Sequence, residues 1–121
     1  MKDFRDLHVW ERAHKLTLSI YTLTTKFPRE ELYGLTSQIR RCGVSIGANI
    51  AEGCGKAGNN EFQRFLQIAA GSASELDYEL LLAKDLGYLT NPEYLKVSDE
   101  LSQIRKMLSS LLRKVQVDRK G

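Results

Sequence analysis

The residues best able to do chemistry in this chain are its cations. Arg40, Arg41, Lys56 and Arg64 gather around one predicted helix and its exit, and Lys106 and Arg113 stand two helical turns apart on another. Side chains of this type and spacing can follow a phosphate backbone without reading base sequence. The same stripes also serve as solvated faces that keep a helical protein soluble. Tyr33, Tyr78, Tyr88, Tyr94 and Trp10 are the aromatics able to stack on bases, and most fall near helix ends or core stripes, where packing is the commoner use.

Other chemistry is thinner. His8 and His14 are six positions apart, about 240° around a helix, so they do not share a metal as an i,i+4 pair would. Gly53, Gly55 and Gly58 follow a helix rather than a strand, which is the wrong setting for a phosphate-binding loop. Cys42 sits at the edge of an apolar stripe, as a small buried hydrophobe does. Its separation from Cys54, about 18 Å along a helix, is too long for a disulfide. Free thiols fit a reducing cytoplasm. The start of the chain mixes both charges and lacks the apolar core of a signal peptide or anchor, so a cytoplasmic protein without a membrane partner is expected. No catalytic group, metal or cofactor is nominated.

The net charge of +3 hints only weakly at a polyanionic partner. Its distribution says more: from Leu101 onward six basic residues face one acid, while residues 61–87 hold two basic residues against five acids.

Four helical patterns must position these groups. Leu7, Trp10, Ala13, Thr17, Ile20, Thr24 and Phe27 step by three and four, predicting a helix over about 8–27 that stops at Pro28. A second is expected over 30–55 and a third over 60–87, capped by Asn59 or Asn60, with Phe62, Phe65, Leu66, Ala69, Ala73, Leu76, Leu80 and Ala83 as its apolar stripe. Thr90 and Glu93 have capping-box spacing ahead of a fourth helix over 92–116, which carries Leu95, Ser98, Leu101, Ile104, Leu108, Leu111 and Val115 inward. No segment alternates with period two, and the connections are short. The expectation is all-α: one domain over residues 1–121, an antiparallel up-down-up-down four-helix bundle.

The second helix has three faces. Leu32, Leu35, Ile39, Cys42, Ile46 and Ile50 form the core stripe, and Gln38, Arg41, Ser45, Asn49, Glu52 and Lys56 a polar one. Gly43, Gly47, Ala51 and Gly55 recur every four residues as a ridge almost without side chains. Interior glycines each cost about 0.5–1 kcal/mol against alanine. Close approach of another helix, in the same bundle or in a neighbouring subunit, would offset that. Asn49 and Glu52 are expected to satisfy one another or polar groups across the same interface.

Several spaced elements resemble the 23S rRNA intervening-sequence protein family. They are Val9-Trp10, Phe27-Pro28 with Glu31, Tyr33-Gly34-Leu35, Gln38-Ile39-Arg40-Arg41, Ser45-Ile46 with Asn49-Ile50-Ala51-Glu52-Gly53, and Gly71-Ser72 with Glu75-Leu76. Gly47 departs from the pattern, since members often carry proline there. The resemblance implies a bacterial four-helix bundle assembled as a homopentamer, with Gly43, Gly47, Ala51, Gly55, Asn49 and Glu52 as candidate oligomer-interface residues. Related accessory variability proteins of diversity-generating retroelements form pentamers and bind nucleic acid and a reverse transcriptase. Together these readings lead to a non-enzymatic nucleic-acid-binding oligomer, with RNA or DNA touched by Arg40, Arg41, Lys56, Arg64, Lys106 and Arg113. The alternative is a protein-interaction scaffold or accessory subunit of a partner such as a reverse transcriptase.

Overall fold

Helix boundaries in this chain are set by a few groups that satisfy the backbone atoms a helix end leaves open. The computed structural model describes the backbone of residues 3–120 and the side chains of residues 3–116. A 3₁₀ turn (Phe4–Asp6) leads into α1 (His8–Thr24), a second 3₁₀ turn (Arg29–Glu31) into α2 (Leu35–Cys54), and α3 (Asn59–Asp85) and α4 (Asn91–Lys120) follow, with no strand among the described residues.

The Thr90–Glu93 capping box forms as expected: Thr90 Oγ1 accepts from the Glu93 amide at 3.2 Å and Glu93 Oε1 from the Thr90 amide at 2.9 Å. Gly87, with φ of 83°, closes α3 in left-handed geometry. The Tyr88 amide there returns to the Ala83 carbonyl at 2.9 Å, a Schellman ending. At the other end of α3 the expected asparagine cap is absent. Gly58, with φ of 88°, holds the N-cap position without a side-chain bond, and Asn59 already lies in the helix.

The α1–α2 connection differs from the predicted one. The chain leaves α1 at Thr24 and tightens, the Phe27 amide donating to the Thr24 carbonyl at 3.1 Å. Phe27 is buried outside the helix, with its ring 5.4 Å from that of Tyr88. α2 starts at Leu35 rather than at residue 30, because Glu31 caps it from one turn back. Glu31 Oε1 accepts from the Leu35 amide at 3.1 Å, and Oε2 accepts from the Tyr88 hydroxyl at 3.0 Å. A Cβ at Gly34 would lie 2.8 Å from that carboxylate oxygen, so a side chain there would push Glu31 off the cap. One carboxylate thus ties the start of α2 to the α3–α4 turn.

Each helix packs on two others, α1 on α2, α2 on α3, α3 on α4 and α4 on α1, with the most extensive contact between α2 and α3. This is the arrangement of a four-helix bundle. The α3 stripe is buried as predicted. On the other helices some stripe positions shift. Leu32 ends a 3₁₀ turn and is exposed; Val9 and Leu16 fill the core of α1 while Trp10 and Thr17 move to its flank; on α4 Tyr94 and Val97 turn inward in place of Leu95, which faces solvent, and Ser98. No helix among the described residues is long and apolar enough to cross a membrane.

Candidate nucleic-acid interface

Basic residues neighbouring in sequence are separated by the fold. Arg40 is turned toward α1, its Nε donating to Thr24 Oγ1 at 2.8 Å and its guanidinium lying 4.8 Å from the Tyr21 ring centroid. Arg41, the next residue, is exposed on the other side and lines a pocket between α2 and α3. Lys56 and Arg64 meet at the α2–α3 turn over Phe65, the Arg64 guanidinium 4.5 Å from the ring centroid and the Lys56 ammonium 5.7 Å. Each of these two has an acid of its own. Arg64 binds Glu61 through two bonds of 3.2 and 3.3 Å, and Lys56 lies 4.0 Å from Glu52. The guanidinium holds the Glu61 carboxyl below the usual range, and that carboxylate raises Arg64 in return.

The face of α4 is different. Lys106 and Arg113 join Arg105 around a groove of about 550 Å³ whose remaining lining is Ser102, Ser109 and Ser110. Arg105 is held at one edge, donating to Asp77 Oδ2 at 3.0 Å and Ser74 Oγ at 3.1 Å on α3. Arg113 donates to Ser110 Oγ at 3.3 Å. Among the described residues no carboxylate pairs with Lys106, Arg113 or Lys114. On its other side Lys106 borders, with Lys114, an apolar groove of about 420 Å³ between the start of α1 and α4, floored by Leu7, Val9, Met107 and Leu111. Two long cations, three hydroxyls and an adjoining apolar trough can hold phosphate oxygens beside an uncharged group. Each of the three serines falls one turn from Lys106, Ser102 before it and Ser109 and Ser110 after it. That spacing is legible in the sequence once hydroxyls are counted with the cations.

The aromatics divide similarly. Trp10 is packed between Phe4 and His14, Tyr88 is bonded to Glu31, and Tyr94 lies under Lys84, whereas Tyr33 and Tyr78 are exposed. His14 stacks on Trp10 at 5.1 Å, and Glu11, three residues before it, is bonded to Lys15 at 2.9 Å. The single Glu-x-x-His spacing in the chain, Glu11 to His14, is thus occupied by ring packing and an ion pair.

The glycine ridge of α2 meets α1 of the same chain. Thr17 Oγ1 donates to the Gly43 carbonyl at 3.0 Å, and a Cβ on Gly43 would lie 3.3 Å from that hydroxyl. Gly43 is buried there against α1 of its own chain. Gly47 faces Trp10, and a Cβ there would lie 3.6 Å from the indole nitrogen. Gly55 caps the end of α2. Gly47 and Ala51 line an apolar hollow of about 350 Å³ with Phe4, Trp10, His14, Thr17, Val44 and Ala48. Asn49 is likewise satisfied inside its own helix, donating to the Ser45 carbonyl at 2.8 Å and Ser45 Oγ at 3.0 Å, while Glu52 turns to Lys56. The expected Asn49–Glu52 pairing does not form. Among the glycines within α2 the tightest approach of a second helix falls on Gly53, whose Cβ would meet Phe62 and Phe65 of α3 at 3.0 Å.

An all-helical protein of four packed helices with a basic, hydroxyl-lined face is the class that fold and surface define. The model of the 23S rRNA-intervening sequence protein family matches residues 5–110, and the chain belongs to that family. No curated protein matches. A crystal structure of a protein with unknown function from the S23 ribosomal protein family of Bacteroides thetaiotaomicron VPI-5482 superposes with a TM-score of 0.81 at 29% sequence identity, over 87% of this chain and 95% of that one.

Proposed function

We propose that this chain is a non-enzymatic RNA-binding protein that holds phosphates on the face of α4, in an oligomer of antiparallel up-down-up-down bundles, five to a ring. The observation that carries the reading is the serine-lined groove around Lys106 and Arg113, where no described carboxylate competes for the cations. Contacts of this kind position a nucleic acid without specifying its sequence. Assembly is supported by the apolar hollow at Trp10, Val44, Ala48 and Ala51, open on the flank of α1 and α2. A native mass of five chains is expected, and a monomer would count against the ring.

Fluorescence anisotropy of a labelled structured RNA tests the binding. Reversing both charges, Lys106→Glu with Arg113→Glu, should weaken affinity by on the order of a hundredfold at low salt. An unchanged affinity in the folded variant would remove the α4 face from the account. The lysine-bordered apolar groove between α1 and α4 favours a second reading, an accessory subunit that docks an acidic amphipathic segment of a partner enzyme. Absence of RNA binding by the wild-type protein at low salt would turn the account to that reading.

A further inference from the structure

The seam between α2 and α3 holds a set of donors that the α4 face does not use. Cys42 on α2 faces Glu75 and Glu79, one turn apart on α3, and the thiol sulfur and one oxygen from each carboxylate lie within 4.8 Å of one another. Glu79 is 3% exposed. Its Oε1 is closed off from solvent and has no hydrogen-bond partner. A buried carboxylate oxygen in that condition carries the whole cost of its lost hydration.

Burial raises both the Cys42 thiol and the Glu79 carboxyl; the hydrogen bond between the two raises the thiol further and partly offsets the rise at Glu79, and the Glu75 charge raises both. Beside them a pocket of about 410 Å³, lined by Gln38, Arg41, Cys42, Ser45, Ser72 and Glu75, opens to solvent. The Ser45 and Ser72 hydroxyls close one side of that pocket with a 2.8 Å hydrogen bond between the two helices.

We propose that Cys42, Glu75 and Glu79 bind a divalent first-row transition metal ion, zinc by preference, with its fourth position open to the pocket. A thiolate with two carboxylates suits zinc, whereas magnesium and calcium take oxygen ligands. Tetrahedral zinc holds sulfur and oxygen ligands about 3.5 Å apart, so the three groups close on an ion by side-chain rotation of about an ångström. On binding, a metal–sulfur bond and two metal–oxygen bonds form. The Cys42 thiol proton, and the Glu79 proton where that carboxyl is protonated, pass to solvent through the pocket. The dication then balances two of the three negative charges and joins α2 to α3 across their largest contact. The paired carboxylates stand four residues apart on α3 and are visible in the sequence. Their convergence on Cys42 is not, because it depends on how two helices meet.

Cobalt(II) chloride titrated into the full chain tests the site. A thiolate-to-cobalt charge-transfer band should grow to one ion per chain, and added zinc should bleach it. Cys42→Ser should abolish the band and Cys54→Ala should leave it. Glu75→Gln, at an exposed position, should weaken binding by about tenfold or more. Circular dichroism shows whether each variant is folded. No band with the wild-type protein, or a band that survives Cys42→Ser in a folded chain, overturns the site.

Discussion

Lys56 and Arg64 at the α2–α3 turn each stand beside a carboxylate three or four residues back along the chain and over the Phe65 ring, whereas Lys106 and Arg113 on α4 look onto three serines and no described acid. Both regions are basic in sequence, yet they differ in how much of that charge a partner would meet. An arginine paired with glutamate must break or share that pairing before it can hold a phosphate. One beside a serine hydroxyl keeps most of its donors free. Lys26 belongs with the first kind. It binds Glu93 across the gap between the end of α1 and the start of α4, where it fastens helices rather than ligands.

The contrast breaks most directly under charge reversal. Lys56→Glu with Arg64→Glu should change RNA affinity by less than about threefold, against the loss on the order of a hundredfold expected for the α4 pair. Equal losses in anisotropy titrations would mean that both regions touch RNA. A smaller effect separates packing from binding at the same turn. Gly53→Ala drives a methyl against Phe62 and Phe65 and should cost about 1–3 kcal/mol of stability in denaturant unfolding, while leaving RNA affinity as it is. A wild-type unfolding midpoint would show that the close approach at Gly53 relaxes freely.

The smallest effect concerns the fastening pair. Lys26 and hydrogen bonds from Thr90 hold the Glu93 carboxyl below its ordinary range. A carboxyl whose pKa is lowered on folding contributes its stability above the unfolded value and loses it as pH falls through the folded one. A double-mutant cycle of Lys26→Met and Glu93→Gln should therefore give a coupling below about 1 kcal/mol at neutral pH, fading below the usual carboxylate range. A coupling that persists in acid would contradict the pairing.

Much of the fold is legible in the sequence, and the illegible parts have physical causes. The α3 stripe and the Thr90–Glu93 cap were readable because both depend on neighbours within one helix. The start of α2 was not, because Glu31 acts as a cap from outside the helix while its other oxygen holds Tyr88 far along the chain. Stripes on α1 and α4 are off at Trp10, Leu95 and Ser98 because periodicity fixes a face only to within a residue or so, and Val9, Tyr94 and Val97, each one position earlier, take the inward places. The small ridge on α2 signalled a close approach that holds at Gly43 and missed the tighter one at Gly53, and spacing does not say which helix approaches. In the event Thr17 and Trp10 of the same chain do so at Gly43 and Gly47, and α3 does so at Gly53. The candidate site shows the same division: the cations were visible one by one, and which of them kept a free face depended on acids brought near by the fold.

The salt dependence of RNA binding, measured by anisotropy between about 50 and 200 mM salt for the wild-type chain and for Lys106→Gln with Arg113→Gln, tests the central claim most directly. The account predicts wild-type affinity that falls steeply with salt and a log–log slope shallower by about two in the variant. A slope that the two substitutions leave unchanged would contradict it.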